Sequence, residues 1–364
     1  MIIGSCAIIG LGLIGGSLGL ALQAKELTGC VWGVDINQEN LDLAYAAGAI
    51  DRAASLKEAV EEADLVILAV PVGAVHALLK EMKPWLKHKA IVTDVCSTKE
   101  SVTFWGKDII GNRYIGGHPM TGAETSGFGS ADPYLFENAF YLLTPDLDTD
   151  TEALNTLRSL VSSLGALLME ISAAEHDSIA AAISHLPHFM AASLVTAVAK
   201  MPVGKKAMAL AAGGFRDTTR ITAGSPIMWR DIFLSNRDQV LGTLRFMRSA
   251  MDELEDALKK SDGEEIYHIL NEAGQVRKGL AINPKGYLPH IYEVVVTVPD
   301  KPGIIAGLSG MLGEAGINIV EIEILHAREG YEGTILVGFA TLKEQEEAQK
   351  LFQEQQIKCR LRHG

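Results

Sequence analysis

Positive charge is in short supply in this chain. Lys and Arg number 32 against 45 Asp and Glu, for a formal net charge of −13, so the chain lacks the electrostatic footprint that nucleic acid or an anionic membrane requires. An anionic ligand would need a local cluster of cations. Cysteine is scarce too: the four residues Cys6, Cys30, Cys96 and Cys359 form no CxxC, which argues against a disulfide framework or a thiolate metal site. Cys6, Cys30 and Cys96 fall in or beside expected buried strands and read as small core residues in a reducing cytosol. No basic residue occurs before Lys25, so the apolar start lacks the basic leader of a secretory signal. The Ala-rich stretch 178–199 carries no Asp, Glu, Lys or Arg, but His185, Pro187 and His188 sit near its middle. A buried helix pair in a soluble dimer is expected there rather than a membrane span. No internal repeat or low-complexity tract appears. At 48% hydrophobic and 21% charged, the composition is that of an ordinary globular protein of two or three domains, and with both stretches read as soluble structure a cytoplasmic location is expected.

The N-terminus carries the first chemical signal. Gly10-Leu-Gly12-Leu-Ile-Gly15 follows the apolar run Cys6–Ile9, and Asp35 closes a second apolar run, Val31–Val34. Strand, glycine turn, helix, strand and acid in this order describe a dinucleotide-binding unit. Gly10 permits the turn, Gly12 lets backbone N–H groups approach a pyrophosphate, and Gly15 lets the helix pack on the strand. The N–H groups around Leu13 and Ile14 would meet the anion at the start of the helix 13–24. Asp35 would accept hydrogen bonds from a ribose 2′-hydroxyl and repel a 2′-phosphate, which points to NAD. Val70 and Pro71, at the end of the run 65–70, complete the expected cofactor-binding set. A glycine turn that serves packing alone is the competing reading.

Up to residue 171 apolar runs alternate with amphipathic segments. Strands are expected at 3–9, 30–35, 65–70, 90–95, 114–117, 139–143 and 166–171, with helices at 13–24, 37–47, 73–82 and 150–163, a mostly parallel, doubly wound Rossmann-type sheet. Residues 172–285 show no strand pattern. Long Ala-, Leu- and Met-rich helices, apolar around most of their circumference, imply an all-α substrate and dimerisation domain completed by a second copy of the chain. After a turn-rich linker, residues 290–364 read as β-α-β-β-α-β: strand 291–299, a helix from Pro302 through Glu314, strands 317–327 and 334–341, helix 343–355 and strand 357–362. That is a ferredoxin-like unit.

Four polar blocks stand out between these regions. Asp94-Val-Cys-Ser97-Thr-Lys99 follows a buried strand, where Ser97 would either reach a ligand at the strand end or cap a helix over 98–105. Gly116-Gly-His118-Pro-Met-Thr121-Gly122-Ala-Glu124 places a histidine, held extended by Pro119, in a glycine-rich loop that keeps its surroundings open. That position suits a general base. Ser184-His185-Leu-Pro187-His188 sets two histidines on one face of a helix kinked by Pro187. Substrate hydrogen bonding is expected of them, and a metal is not, for want of a nearby third ligand. Arg216 and Arg220, one turn apart in Phe215-Arg-Asp-Thr-Thr-Arg220, offer guanidinium groups to a carboxylate. The alternative is an internal pair such as Arg216 with Asp217 or Asp231. One of the two arginines is expected to bind ligand and the other to be structural.

Together the glycine turn with Asp35, Gly117-His-Pro-Met-Thr-Gly122, Ser184-His-Leu-Pro-His188 and Phe215-Arg-Asp-Thr-Thr-Arg220 resemble the prephenate dehydrogenase family of tyrosine biosynthesis over nearly the whole chain. The C-terminal unit, with Pro299-Asp-Lys-Pro-Gly303 at its first strand–helix turn, resembles an ACT domain. The resemblance implies NAD-dependent oxidative decarboxylation of prephenate to 4-hydroxyphenylpyruvate. It makes His118 the catalytic histidine, Ser97 its hydroxyl partner, Glu124 a gating acid and Arg220 the substrate-binding arginine. Thr121, Ser184, His185 and His188 join the substrate-binding set. The bifunctional form with a chorismate mutase segment is not expected. The ACT unit implies feedback inhibition by L-tyrosine through Asp300, Pro302, Gly303 and Asn318, or else a domain used only for dimerisation. An arogenate dehydrogenase making tyrosine directly is the alternative enzyme. A β-hydroxyacid dehydrogenase would lack the Gly-Gly-His-Pro block, and an NAD-binding sensor would have no use for His118, Ser97 and Arg220 together.

Overall fold

The computed structural model of the chain describes residues 1–122, 125, 127–279, 292–299, 301–326 and 332–361. They divide into two compact units, Met1–Ile269 and Leu270–Gly364.

The first unit is built on an eight-stranded sheet. Its strands are β1 (Cys6–Ile9), β2 (Val31–Val34), β3 (Arg52–Ala53), β4 (Leu65–Leu68), β5 (Ile91–Asp94), β6 (Tyr114–Pro119), β7 (Phe140–Thr144) and β8 (Leu167–Glu170). They lie in the order β3-β2-β1-β4-β5-β6-β7-β8. Every pairing is parallel except β6–β7. β1, β4 and β5 are buried along their whole length, as continuous apolar runs covered on both faces should be. The covering helices are α1 (Leu13–Ala24), α2 (Gln38–Ala46), α3 (Leu56–Glu62), α4 (Val72–Met82), α5 (Glu100–Ile109) and α6 (Thr151–Ser163). Two apolar clusters fill the two faces, one around Ile8, Leu18 and Leu157 and the other around Val66, Val75 and Tyr114. The strand order reverses between β1 and β4, so the carboxyl ends of these strands frame the crevice where ligands of open α/β sheets bind.

Two features of this sheet escape the sequence pattern. β3 is a two-residue edge strand, exposed throughout and too short to alternate. α3 follows it, started by a capping box in which Ser55 and Glu58 satisfy each other's backbone N–H groups.

The rest of the unit is helical: α7 (Ala173–Ala180), a π-helical turn (Ala181–His185), α8 (Leu186–Lys200), α9 (Gly204–Ala209), α10 (Gly213–Thr219), a 3-10 turn (Arg220–Ala223), α11 (Pro226–Ser235) and α12 (Arg237–Lys259), with α13 (Gly263–Gly279) following. The kink expected at Pro187 takes the form of the π turn just before it. Pro187 has no N–H to give the turn before it, and the wider π turn takes up that missing bond inside the helical run. The continuous run Ala173–Lys200 is long and apolar enough to cross a membrane by length and composition, yet only 28% of its most apolar stretch is buried within the chain. In α8 only His188 and Ala191 are buried. Ile183, Leu194, Leu241 and Phe246 all lie on the outside.

The second unit holds β9 (Tyr292–Pro299), α14 (Ile304–Glu314), β10 (Glu321–His326), β11 (Glu332–Phe339), α15 (Leu342–Glu354) and β12 (Lys358–Leu361). Its antiparallel sheet runs β10-β11-β9-β12, the ferredoxin-like arrangement, with Val296, Leu312, Val337 and Phe352 in its core. Two boundaries differ from the sequence pattern. The second strand begins at Glu321 rather than at Ile317, because the Ile317 N–H bonds back to the Leu312 carbonyl across Gly316 (φ +71) and Ile317 packs into the core. The first helix begins at Ile304 rather than Pro302, with Gly303 as a left-handed cap at φ +86.

Candidate active site

The glycine turn sits at the β1 end of the crevice. Gly10 has φ +95, and a side-chain carbon there would lie 2.3 Å from the Ala69 carbonyl oxygen. A carbon on Gly15 would lie 1.9 Å from the Gly10 carbonyl oxygen, so the close helix–strand approach requires glycine at both ends of the turn. Gly12 differs. A carbon there would meet nothing within 4 Å, so packing does not demand this glycine. It precedes α1, whose N-terminus no side chain caps. The Asp35 carboxylate reaches across to accept the Leu11 N–H at 2.6 Å, and it also accepts from the Asn37 N–H at 2.8 Å and Asn40 Nδ2 at 3.3 Å. The acid is thereby fixed beside the turn. Val70 and Pro71 lie between β4 and α4, with Pro71 preceding the helix.

His118 stands near the end of β6, half-buried. The two glycines before it do not keep its surroundings open as the composition of the loop implies. A carbon on Gly117 would lie 2.7 Å from the Asp94 carbonyl oxygen, and one on Gly116 would lie 2.5 Å from the Thr144 hydroxyl. Their role is to let β6 approach its neighbours closely. Beneath them lies a buried ionic group. Lys99 is paired through Nζ with Asp94, both side chains fully buried, and Asp94 also accepts the Tyr114 hydroxyl at 2.6 Å and the Cys96 N–H at 2.8 Å. Burial, with Asp94 beside it, pushes the Tyr114 phenol well above its ordinary value, so it stays a neutral donor.

The hydrogen bond that the resemblance implies between Ser97 and His118 is not formed among the described residues. His118 Nδ1 instead lies 2.7 Å from His176 Nε2, and His176 Nδ1 lies 2.7 Å from Asp177 Oδ1. Nor does Ser97 cap α5. The Asp177 carboxylate does so from the helical segment, accepting the Lys99 N–H at 2.6 Å and the Glu100 N–H at 2.9 Å. The helix starts two residues later than a Ser97 cap would set it. Burial, then His176, Lys99 and His185, hold the His118 imidazole well below its ordinary value. Burial lowers His176 as well, against the opposing pull of Asp177. Both rings are neutral at neutral pH.

His185 and His188 share the inward face of the π turn and α8, at 1% and 6% exposure. His185 Nδ1 lies 3.1 Å from Asn236 Nδ2, which also donates to the Asp177 carbonyl at 2.8 Å. His188 stacks on Trp229 with ring centroids 3.6 Å apart, and its Nδ1 is buried with no partner among the described residues. Burial drives the His185 pKa down to about 4 and lowers that of His188. Ser184 is half-buried in the π turn, and Thr121 is half-buried just beyond β6. Arg220 opens the 3-10 turn, exposed on the chain's surface. Arg216 is exposed with no ion pair among the described residues, and Asp231 pairs instead with Arg230 at 2.7 Å, so the internal arginine pairs are not formed. Glu124 and Asp300 lie outside the described residues. Pro302, Gly303 and Asn318 are exposed in the turns flanking α14.

The sequence reading missed His176, Asp177, Asn236, Trp229 and the buried Asp94–Lys99 pair. Their signal was local: a His-Asp dipeptide inside an Ala-rich segment, and two opposite charges straddling the end of a buried strand.

Comparison with known proteins places these elements. A family model described as the prephenate dehydrogenase nucleotide-binding domain matches residues 18–170, one described as the prephenate dehydrogenase dimerization domain matches 172–272, and an ACT domain model matches 292–351. The first match begins beyond the glycine turn, which therefore stands on its own geometry. The chain is 38% identical over 349 residues to a prephenate dehydrogenase of Bacillus subtilis, covering 94% of this chain and 93% of that protein. It is similar to the crystal structure of prephenate dehydrogenase from A. aeolicus in complex with hydroxyphenyl propionate and NAD+, at 32% identity and a TM-score of 0.73, over 76% of this chain and 97% of that one. The crystal structure of Synechocystis arogenate dehydrogenase is similar at 32% identity and a TM-score of 0.66, over 75% of this chain and 98% of that one.

Proposed function

This chain belongs to the prephenate dehydrogenase family, and from that premise we propose that it is the NAD-dependent enzyme that converts prephenate to 4-hydroxyphenylpyruvate. The observation that carries the reading is a neutral His118 near the carboxyl end of β6, on the same edge of the parallel strands as the glycine turn after β1 and Asp35 after β2. Asp35 suits the two ribose hydroxyls of NAD. The uncapped start of α1, with its unobstructed Gly12, suits the pyrophosphate. Leu13, Ile14 and Gly15 would hold it there, and Val70 and Pro71 would flank the nicotinamide half. When bound, NAD supplies the acceptor for a hydride from C4 of the substrate.

The residues of the chain do the rest. His118 takes the proton of the substrate's 4-hydroxyl through Nε2. Loss of CO2 from C1 then restores the aromatic ring, leaving 4-hydroxyphenylpyruvate. Arg220 holds a substrate carboxylate in two parallel hydrogen bonds, and Thr121, Ser184, His185 and His188 contact the ring and side chain. Ser97 meets the substrate hydroxyl once ligand is bound, and Glu124 gates entry. Function divides the chain into a cofactor segment (1–171), a helical substrate segment (172–285) completed by a second copy in a cytoplasmic homodimer, and an ACT segment (290–364). That last segment binds L-tyrosine around Asp300, Pro302, Gly303 and Asn318 and transmits inhibition.

The test is NADH formation by the purified chain with NAD and either prephenate or arogenate, with and without tyrosine. Turnover of prephenate suppressed by tyrosine is expected, and removal of residues 290–364 should abolish the suppression. Turnover of arogenate alone would make the alternative enzyme the correct reading.

A further inference from the structure

Resting on the reading of His118 as the base, we propose that His176 and Asp177 are positioning residues that hold His118 in the one tautomer able to act. The argument is a chain of donors and acceptors. Both oxygens of Asp177 already receive backbone N–H groups, from Lys99 and Glu100. A carboxylate so placed only accepts, so the His176 nitrogen 2.7 Å away, Nδ1, carries the proton. His176 is neutral, which leaves its Nε2 a bare acceptor. The nitrogen facing it at 2.7 Å, His118 Nδ1, must then be the donor. His118 is neutral as well, so its Nε2 has no proton and is free to take one. Each step is forced by the one before it. Were Asp177 absent, either ring could flip to the opposite tautomer and present an N–H where the substrate's hydroxyl needs a lone pair.

The arrangement also serves the charged state. When His118 accepts a proton, its Nδ1–H points along a line of acceptors that ends in a carboxylate, which favours the imidazolium. The other groups facing the pair act differently. The Lys99 ammonium disfavours charge on both rings and His185 disfavours it on His118, while Asp94 favours it on His176. His176 and Asp177 are therefore the direct hydrogen-bonded support on the His118 side away from the substrate. Asn236 anchors them, through the Asp177 carbonyl. The anchor for a base on the sheet thus comes from the helical segment.

The test uses the full chain with NAD and prephenate. His176→Ala should lower kcat by about 10²- to 10³-fold, with NAD affinity within about twofold of the parent chain as evidence of an intact fold. Free imidazole, filling the space left by the ring, should restore at least about tenfold of the loss. Asp177→Asn keeps the shape of the carboxylate, and should shift the acid limb of kcat/KM to lower pH because the imidazolium loses its counter-charge. Activity within about threefold of the parent in both variants overturns the proposal. So does a loss that shows neither imidazole rescue nor a moved limb, since capping α5 would then be the pair's whole purpose. The reading of the base is tested separately by His118→Asn. If that variant is inactive while His176→Ala is not, the positioning role fails and the base stands. If His118→Asn is fully active, the base itself is misassigned.

Discussion

The sheet and the helices of the first unit differ in how they dispose of apolar surface. β1, β4 and β5 bury every residue, and two apolar clusters close over both faces without help from another chain. The helices from residue 173 to 259 do the opposite. α12 buries only Val240, Leu244 and Ala257, and leaves Leu241, Phe246, Met251 and Leu258 outside. One half is finished as a monomer and the other is not. Large apolar side chains left outside on successive helices, Ile183, Leu194, Ile227 and Phe246 among them, point to an interaction surface. A second copy of the same chain is the natural cover, since the dimerization-domain match spans residues 172–272. The candidate site straddles the two halves: His118 and the glycine turn belong to the finished one, His185, His188 and Arg220 to the other.

The largest effect expected is therefore on assembly. Phe246 and Leu147 are both exposed, at 81% and 105%, but Leu147 lies on the loop after β7 and Phe246 on α12. Phe246→Asp should split the proposed dimer, because a two-fold interface that covers Phe246 receives the charge twice, at about 3–5 kcal/mol for each uncompensated buried charge. Leu147→Asp should change stability by no more than about 0.5 kcal/mol and leave the dimer intact. Sedimentation analysis of both variants checks this, and equal behaviour would remove the distinction between the two halves.

Next come the catalytic consequences. His118→Ala removes the proposed base on the sheet, and should lower kcat by about 10²- to 10⁴-fold with little change in NAD affinity. Arg220→Ala removes the proposed substrate contact on the helices, and should raise KM for prephenate by about tenfold or more with a smaller effect on kcat. The basis is the loss of charge-assisted hydrogen bonds to a substrate carboxylate, worth about 1.5–3 kcal/mol. Steady-state kinetics on the two variants separates chemistry on the sheet from binding on the helices. A kcat effect at Arg220 as large as that at His118 would erase the division.

How much of this was legible in the sequence follows the same boundary. The alternation of strand and helix up to residue 171 was readable because each apolar run is complete within a few residues. The glycine turn was readable because Gly10 and Gly15 answer local backbone demands. The antiparallel direction of β7 was not, since an apolar run encodes burial and not polarity. Ile317 and Ile319 read as strand because they alternate, while the turn at Gly316 keeps them out of the sheet. In the site, His118 declared itself through its loop. Its partner was invisible because His176 is 58 residues away in the chain, and the Asp177 that caps α5 is 78 residues from Lys99. Ser97 looked like the cap because a cap is sought in adjacent sequence. A carboxylate from another element does the same work and leaves no local trace.

The smallest effect concerns acid. His185 is held at a pKa of about 4 in the folded chain by burial, against about 6.5 for a free imidazole. The folded state therefore resists protonation that the unfolded state accepts. The stability associated with the neutral ring is fully present above about pH 6.5 and is lost as the pH falls toward 4, to a total of about 3 kcal/mol. His118, His176 and His188 are lowered too, so the seam between sheet and helices concentrates the acid sensitivity of the unit. His185→Gln keeps a hydrogen-bonding group of similar reach toward Asn236 and cannot titrate. Its unfolding free energy, measured by urea titration between pH 7 and 5, should fall less steeply than that of the parent by about 1.4 kcal/mol per pH unit once the pH is below 6.5. Identical slopes would mean that His185 titrates alike in both states and that the seam is open to water. The helical half would then be unfinished on its inner face as well as its outer one.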